Sequence, residues 1–298
     1  VRLHTDDGLT GLGEVTSCSY VAKAVIEAPR SAPFRHGLAA VIEGMDPTQR
    51  EDVIAAMEEG TAWYGPEGVT RHAMSAIDMA LWDLAGKAAG KPVRQLIDDD
   101  ASATVSCYAS AYCPETPELV ASLAATFVQQ GYSAVKFGWG PFGKTPSLDV
   151  ELVAAARQAL GPEVDLMMDA GRAWDVDTAL ERTQLLAPFD LHWLEEPLHP
   201  LDFSGYGNLC AASTMPIAAG EALTGVRHFE RLLVEGGIHV VQPDLGHIGG
   251  ISFAERIGTL ADGCDARTVP HAFGTGVLLV ASAQWASAHS GLTEYTES

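Results

Sequence analysis

Apolar and polar positions follow two different grammars along the chain. Up to about residue 100 the pattern reads as strand, turn and helices. Two short β-type runs between Val1 and Glu14 flank Asp6-Asp7-Gly8, which predicts a hairpin. From Val69 to Ala89 the residues Ala73, Ile77, Ala80, Leu81 and Leu84 recur at three- and four-residue spacing. That spacing lines one face of an amphipathic helix, and Gly90 followed by Pro92 supplies its stop signal.

Beyond about residue 104 short apolar runs alternate with longer helical stretches, the pattern of parallel β/α construction. Eight strands are predicted, at 105–111, 134–140, 165–170, 191–196, 217–221, 239–244, 266–271 and 291–295, with seven helical stretches between them. Such a series closes into a barrel or lies open as a doubly wound sheet. No G-x-G-x-x-G turn follows the first of these strands, which weakens a dinucleotide-binding reading.

Polar residues stand at the predicted strand ends: Lys136, Asp169, Glu195, Glu221, Asp244, His271 and Glu294. One charge at one strand end is usually a solvated loop residue. Seven in register favour a site, because barrel active sites are assembled from the C-terminal ends of several strands. Asp169, Glu195 and Glu221 are spaced 26 positions apart on consecutive strands. Carboxylates brought side by side repel unless a cation or protons neutralise them, and an all-oxygen set suits Mg²⁺ better than Zn²⁺.

Composition narrows the function. The 298 residues are 47% hydrophobic, enough for one large core or two moderate ones. A formal charge of -21 and the lack of a basic patch argue against a nucleic-acid partner. Cys18, Cys107, Cys113, Cys210 and Cys264 include no C-x-x-C pair, so they read as buried free thiols of a reducing cytoplasm. No apolar run is long enough to span a membrane and no charged-then-apolar leader is present, so a soluble protein is expected. The start at Val1 inside a strand, and the stop soon after another, suggest that both natural ends are missing.

The strand-end motifs resemble the enolase superfamily, in particular its mandelate racemase and acid-sugar dehydratase branch. The likeness rests on Ala134-Val135-Lys136, Met168-Asp169-Ala170, Trp193-Leu194-Glu195-Glu196-Pro197, Ala219-Gly220-Glu221, Gln242-Pro243-Asp244 and Val269-Pro270-His271. The run Ala80-Leu81-Trp82-Asp83-Leu84-Ala85-Gly86-Lys87 is similar to the end of that family's capping domain. The resemblance implies an α/β fold, a (β/α)7β TIM-like barrel over 101–298 with an α+β capping domain over 1–100. It also implies a homo-oligomer.

The resemblance further implies that Asp169, Glu195 and Glu221 hold one Mg²⁺, which binds the carboxylate of a small acid substrate. Glu195 is preferred to Glu196 because strand alternation sends neighbours to opposite faces, leaving Glu196 to pair with a basic residue. Loss of the proton next to a carboxylate gives an ene-diolate, and a Lys or His base working with Mg²⁺ is the established pattern of the superfamily rather than a property derived from this chain. His271 reads as the base and Asp244 as its orienting partner, with His247 a lesser candidate. Glu294 reads as a proton donor to the enolate or leaving group.

Two departures from the family pattern bear on the reaction. The family often carries K-x-K where this chain has Lys136-Phe137-Gly138, so a two-base racemase is in doubt and Lys136 becomes a fixed positive charge. The usual Asn two places after the first ligand is replaced by Gly171, and Arg172 beside it is a candidate substrate contact. Tyr20 and the loop residues Trp63 and Tyr64 are expected to close over the site. The expected reaction is dehydration of an acid sugar. The alternatives are cycloisomerisation of a sugar-acid lactone or anhydro-acid, racemisation or epimerisation, and a catalytically silent binding barrel.

Overall fold

Gly11 and Gly13 let the first hairpin lie directly on a helix. In this computed structural model, which describes residues 1–33 and 36–289 and the backbone of 296–297, β1 (Arg2–His4) pairs antiparallel with β2 (Thr10–Leu12). Four helices follow: α1 (Ser19–Glu27), α2 (Leu38–Ile42), α3 (Arg50–Thr61) and α4 (Val69–Ala89). A Cβ at Gly11 would stand 2.1 Å from the carbonyl oxygen of Ala80, and one at Gly13 would stand 1.8 Å from that of Ala76, so only glycine permits this approach. Asp83 accepts the Leu12 N–H at 2.8 Å and Lys87 donates to the Thr10 carbonyl at 2.7 Å, so the polar face of α4 secures β2. The predicted helix and its stop are both found, with Gly90 in the left-handed conformation.

After α5 (Arg94–Ile97), eight parallel strands alternate with seven helices among the described residues. In chain order they are β3 (Cys107–Tyr112), α6 (Pro117–Gln130), β4 (Ala134–Gly138), α7 (Pro146–Leu160), β5 (Asp165–Asp169) and α8 (Val176–Leu186). Next come β6 (Trp193–Glu195), α9 (Phe203–Ala212), β7 (Ile217–Ala219), α10 (Val226–Val234), β8 (Val240–Val241), α11 (Ile251–Asp262), β9 (Arg267–Thr268), α12 (Gly276–Ala288) and β10 (Thr296–Glu297). The sheet order is β10-β3-β4-β5-β6-β7-β8-β9, and every pairing is parallel. The predicted eighth strand at 291–295 lies outside the described residues.

Side-chain alternation divides the sheet into two buried faces. Tyr108, Ala134, Met167, Trp193, Ala218, Val240 and Val269 form a small cluster on one face, while the opposite face packs against the helices. Two residues beyond members of the small cluster come Lys136, Asp169, Glu195, Gln242 and His271, with Asp244 two beyond Gln242, so period two carries these polar groups onto the same face. The observed strands are shorter than predicted where the backbone leaves the strand. Trp139 and Glu196 have φ of 59° and 41°, Gly220 has 137°, and Pro243 and Pro270 have no N–H for a ladder.

α4 also reaches α11. Asp78 accepts the Ser252 N–H at 3.0 Å and its hydroxyl at 2.6 Å, and the Trp82 indole donates to the same hydroxyl at 2.9 Å. Glu14 accepts the N–H groups of Thr275 and Leu278 at 2.8 and 2.9 Å, capping α12 from the hairpin side. The cysteines correct one expectation: Cys113 and Cys210 are buried, Cys107 is half-buried, and Cys18 and Cys264 are exposed free thiols. Among the described residues no helix is long and apolar enough to cross a membrane.

Candidate active site

Register sets the site. Gly138 pairs with Asp169 and Asp169 with Glu195 across neighbouring strands, and Asp244 forms an isolated parallel bridge with His271 beyond the ends of β8 and β9. Asp169, Glu195 and Glu221 each offer a carboxylate oxygen, all within 4.8 Å of one another. Two carboxylates at that separation repel by about 3–4 kcal/mol at an effective dielectric near 20, so the cluster requires compensation. Lys136 supplies part of it, placing Nζ 2.5 Å from Glu195 Oε1. Trp193 and Gln242 donate to Glu195 Oε2 at 3.0 and 2.7 Å. Asp169 accepts the Gly171 N–H on Oδ1 at 2.7 Å and the Trp139 indole N–H on Oδ2 at 2.8 Å.

Burial pushes Asp169 up to about 7, and the charges of Glu195 and Glu221 add to the rise while Lys136 opposes it. Glu196 rises to about 8, first through burial and then through Glu221. The expectation that alternation turns Glu196 away is corrected. Its left-handed φ of 41° takes it out of the strand, and its carboxyl is buried beside the cluster, accepting the Gly220 N–H at 3.3 Å. Arg172 is a basic residue beside it, with Nε 3.8 Å from Glu196 Oε2, an oxygen that has no hydrogen-bond partner. Lys136 is corrected as well. It lies inside β4, two residues before the end, where its amine is buried against Glu195.

His271 joins this cluster to a second carboxylate. Its Nδ1 lies 2.7 Å from Asp244 Oδ2 and its Nε2 3.2 Å from Glu221 Oε2. Asp244 is fully buried and also accepts the Gly246 N–H at 2.7 Å. His247 has both ring nitrogens engaged, Nδ1 with the Glu221 carbonyl at 3.0 Å and Nε2 with the Thr16 hydroxyl at 2.9 Å, which suits a structural residue. Its ring lies against that of His72, centroids 4.5 Å apart.

The donor set fits a hard divalent cation. It consists of carboxylate oxygens without nitrogen or sulfur, and it leaves the raised proton affinity of Asp169 and the orphan Glu196 oxygen as signs of unmet positive charge. Residues 1–98 match the family model described as the mandelate racemase / muconate lactonizing enzyme N-terminal domain, and residues 118–298 match that of the enolase C-terminal domain-like family. The chain belongs to the mandelate racemase/muconate lactonizing enzyme family of the enolase superfamily.

Among curated members of this family, the chain is 32% identical over 292 residues to D-galactarolactone cycloisomerase of Agrobacterium fabrum, covering 97% of this chain and 74% of that protein. It is 33% identical over 275 residues to L-rhamnonate dehydratase of Saccharopolyspora erythraea, covering 91% and 66%. The crystal structure of a racemase from Streptomyces coelicolor A3(2) with bound magnesium superposes with a TM-score of 0.87 at 29% identity, over 100% of this chain and 80% of that one.

Other expected site residues are placed less centrally. Tyr20 on α1 and Trp63 after α3 are 86% and 69% exposed, and Tyr64 donates its hydroxyl to the His36 carbonyl at 3.1 Å. Glu294 lies outside the described residues. Sequence reading missed Trp139, Trp193 and Gln242, all bonded to the carboxylates. Trp193 and Gln242 were within reach, since period two from Glu195 and Asp244 leads to them; Trp139 holds its place through a left-handed turn that no spacing rule shows.

Proposed function

We propose that the protein removes the proton α to the carboxylate of an acid sugar and expels the group on the adjacent carbon, with His271 as base and Mg²⁺ held by Asp169, Glu195 and Glu221. Bound there, the cation would stabilise the two negative oxygens of the ene-diolate. The observation that carries the reading is one connected array: the carboxylate cluster meets His271 Nε2 at 3.2 Å, and Asp244 holds the other ring nitrogen at 2.7 Å. A proton donated from Nδ1 to Asp244 leaves Nε2 as the acceptor. Lys136 offsets the charge of Glu195 from within the sheet. The α-proton passes to His271 Nε2 and the C–H electron pair forms the carbon–carbon double bond of the ene-diolate. Collapse of the ene-diolate then breaks the C–O bond on the adjacent carbon, the departing oxygen takes a proton supplied by an acid, a role that suits Glu294, and the resulting enol ketonises.

In this reading the parallel sheet closes as a (β/α)7β barrel over 101–298, capped by 1–100, with Tyr20, Trp63, Tyr64 and Arg172 facing the substrate. The clasp of α4 on α11 and the Glu14 cap on α12 support such docking. Gly138 supports elimination over racemisation. A Cβ there would stand 2.5 Å from Asp169 Cβ, so no second base fits beside the cluster.

Dehydration is the first assignment; ring opening by loss of a ring oxygen is the second, favoured by the likeness to the cycloisomerase. The test is incubation with acid sugars and sugar-acid lactones in D₂O, read by NMR with Mg²⁺ and with EDTA. Mg²⁺-dependent formation of a 2-keto-3-deoxy acid is expected, with one solvent deuterium at C3, where the enol is protonated as the α-carbon becomes the ketone. Absence of both this product and deuterium exchange at the substrate α-carbon across the panel would refute the proposal.

A further inference from the structure

Trp139 and Arg172 both hold left-handed backbone, with φ of 59° and 64°, although bulky side chains disfavour it. Strained residues of this kind cluster where a side chain must be aimed. Each is locked from beside the cluster: the Trp139 N–H donates to the Asp169 carbonyl at 3.2 Å, and the Arg172 N–H to the Glu196 carbonyl at 2.6 Å. Gly171 lies between Asp169 and Arg172 with φ of 56°, and a Cβ there would meet the Trp139 ring at 3.2 Å. The outcome is a layered arrangement. The indole edge is bonded to Asp169, while its face carries the Arg172 guanidinium, 5.5 Å from the ring centroid.

This guanidinium is placed differently from Lys136. The Lys136 amine is buried against Glu195, whereas the Arg172 side chain is 39% exposed and stands 3.8 Å from Glu196, outside hydrogen-bond reach. Trp139 is itself 41% exposed. A planar, always-charged fork resting on an aromatic face is suited to bidentate capture of a carboxylate. The overall charge of -21 works against a dianion only weakly, since exposed charges are screened beyond about 8 Å at physiological salt.

We propose that Arg172, supported on Trp139, binds a second carboxylate at the end of the substrate remote from the reacting carbon, so that the site selects sugar diacids (aldarates) over aldonates. The inference rests on the acid-sugar reading. It is tested by calorimetric binding to the Mg²⁺-loaded His271→Asn protein, which separates recognition from turnover. The probes are matched pairs, galactarate with galactonate and glucarate with gluconate, which differ only at the terminal group.

The better-bound aldarate is expected to bind roughly 10–100-fold more tightly than its aldonate, the range of a charge-assisted hydrogen-bonded pair. Arg172→Met should bring that ratio close to one, and Arg172→Lys should keep part of it. Mn²⁺ binding to each variant reports whether the carboxylate cluster is still assembled. Equal affinity for both members of each pair, a ratio unchanged by Arg172→Met, or no aldarate binding would overturn the inference. Tighter binding of 6-phosphogluconate than of glucarate would assign the subsite to a phosphate ester and overturn it too. An Arg172-dependent aldarate preference without α-proton exchange in the unmodified protein would uphold this inference and sink the proposed reaction.

Discussion

Asp244 Oδ2 lies 2.7 Å from His271 Nδ1, and Asp244 Oδ1 is occupied by the Gly246 N–H at the same distance. The carboxylate is thereby held in one orientation, and it determines which ring nitrogen carries the proton. Nε2 is left toward Glu221, where a reacting carbon bound at the cluster would sit.

His271→Asn keeps a polar side chain of moderate size and removes the proposed base. Exchange of the substrate α-proton with D₂O is expected to fall about 10²–10⁴-fold, or about 3–5 kcal/mol, while Mn²⁺ binding persists. Asp244→Asn should also lose exchange with the fold intact, because an amide can present N–H to Nδ1 and favour the wrong tautomer. Wild-type exchange rates in His271→Asn would move the base elsewhere.

Gly138 tests the proposed preference for elimination over racemisation. Because a Cβ there would come 2.5 Å from Asp169 Cβ and 3.0 Å from its Oδ2, Gly138→Lys should displace Asp169, a proposed metal ligand, before its amine could serve as a second base. Mn²⁺ affinity is expected to drop by roughly 10–100-fold, as when the support of a ligand is lost. Epimer interconversion should not appear. A Gly138→Lys protein that bound Mn²⁺ normally and racemised a substrate would show that the cluster yields more readily than its packing implies.

The sequence was most legible where periodicity and register carry the information. Three-four spacing placed α4 with its stop at Gly90, and repetition of polar residues beyond short apolar runs pointed to Asp169, Glu195, Asp244 and His271. It was least legible where the backbone leaves the strand. Alternation carried one residue past the end of β6 assigns Glu196 to the opposite face, and the left-handed turn there breaks the rule. Trp139 escapes pattern reading for the same reason. The sequence marks Lys136 as a site residue but puts it at the strand end, whereas a buried amine can stay inside the sheet when a carboxylate meets it.

His72 gives the site an acid limit. Burial, aided by neighbouring His247, lowers His72 from 6.5 to about 4, and its Nδ1 is buried without a hydrogen-bond partner. The folded state therefore prefers the neutral ring, while the unfolded chain takes up a proton near the ordinary value. Between those values the unfolded state binds more protons, so the stability contributed by a neutral His72 is present above about 6.5 and is lost as the pH falls toward about 4. The loss reaches the site because His72 packs on His247, whose Nδ1 holds the Glu221 carbonyl at 3.0 Å. His72→Leu removes both the titration and the orphan nitrogen while filling a similar volume. Thermal melts across this pH range should show a shallower acid decline for the variant, so that Tm relative to the unmodified protein improves as the pH is lowered. Parallel melting curves for the two proteins over the whole range would show that His72 stays neutral in both states or ionises freely in both, and the proposed acid limit would be wrong.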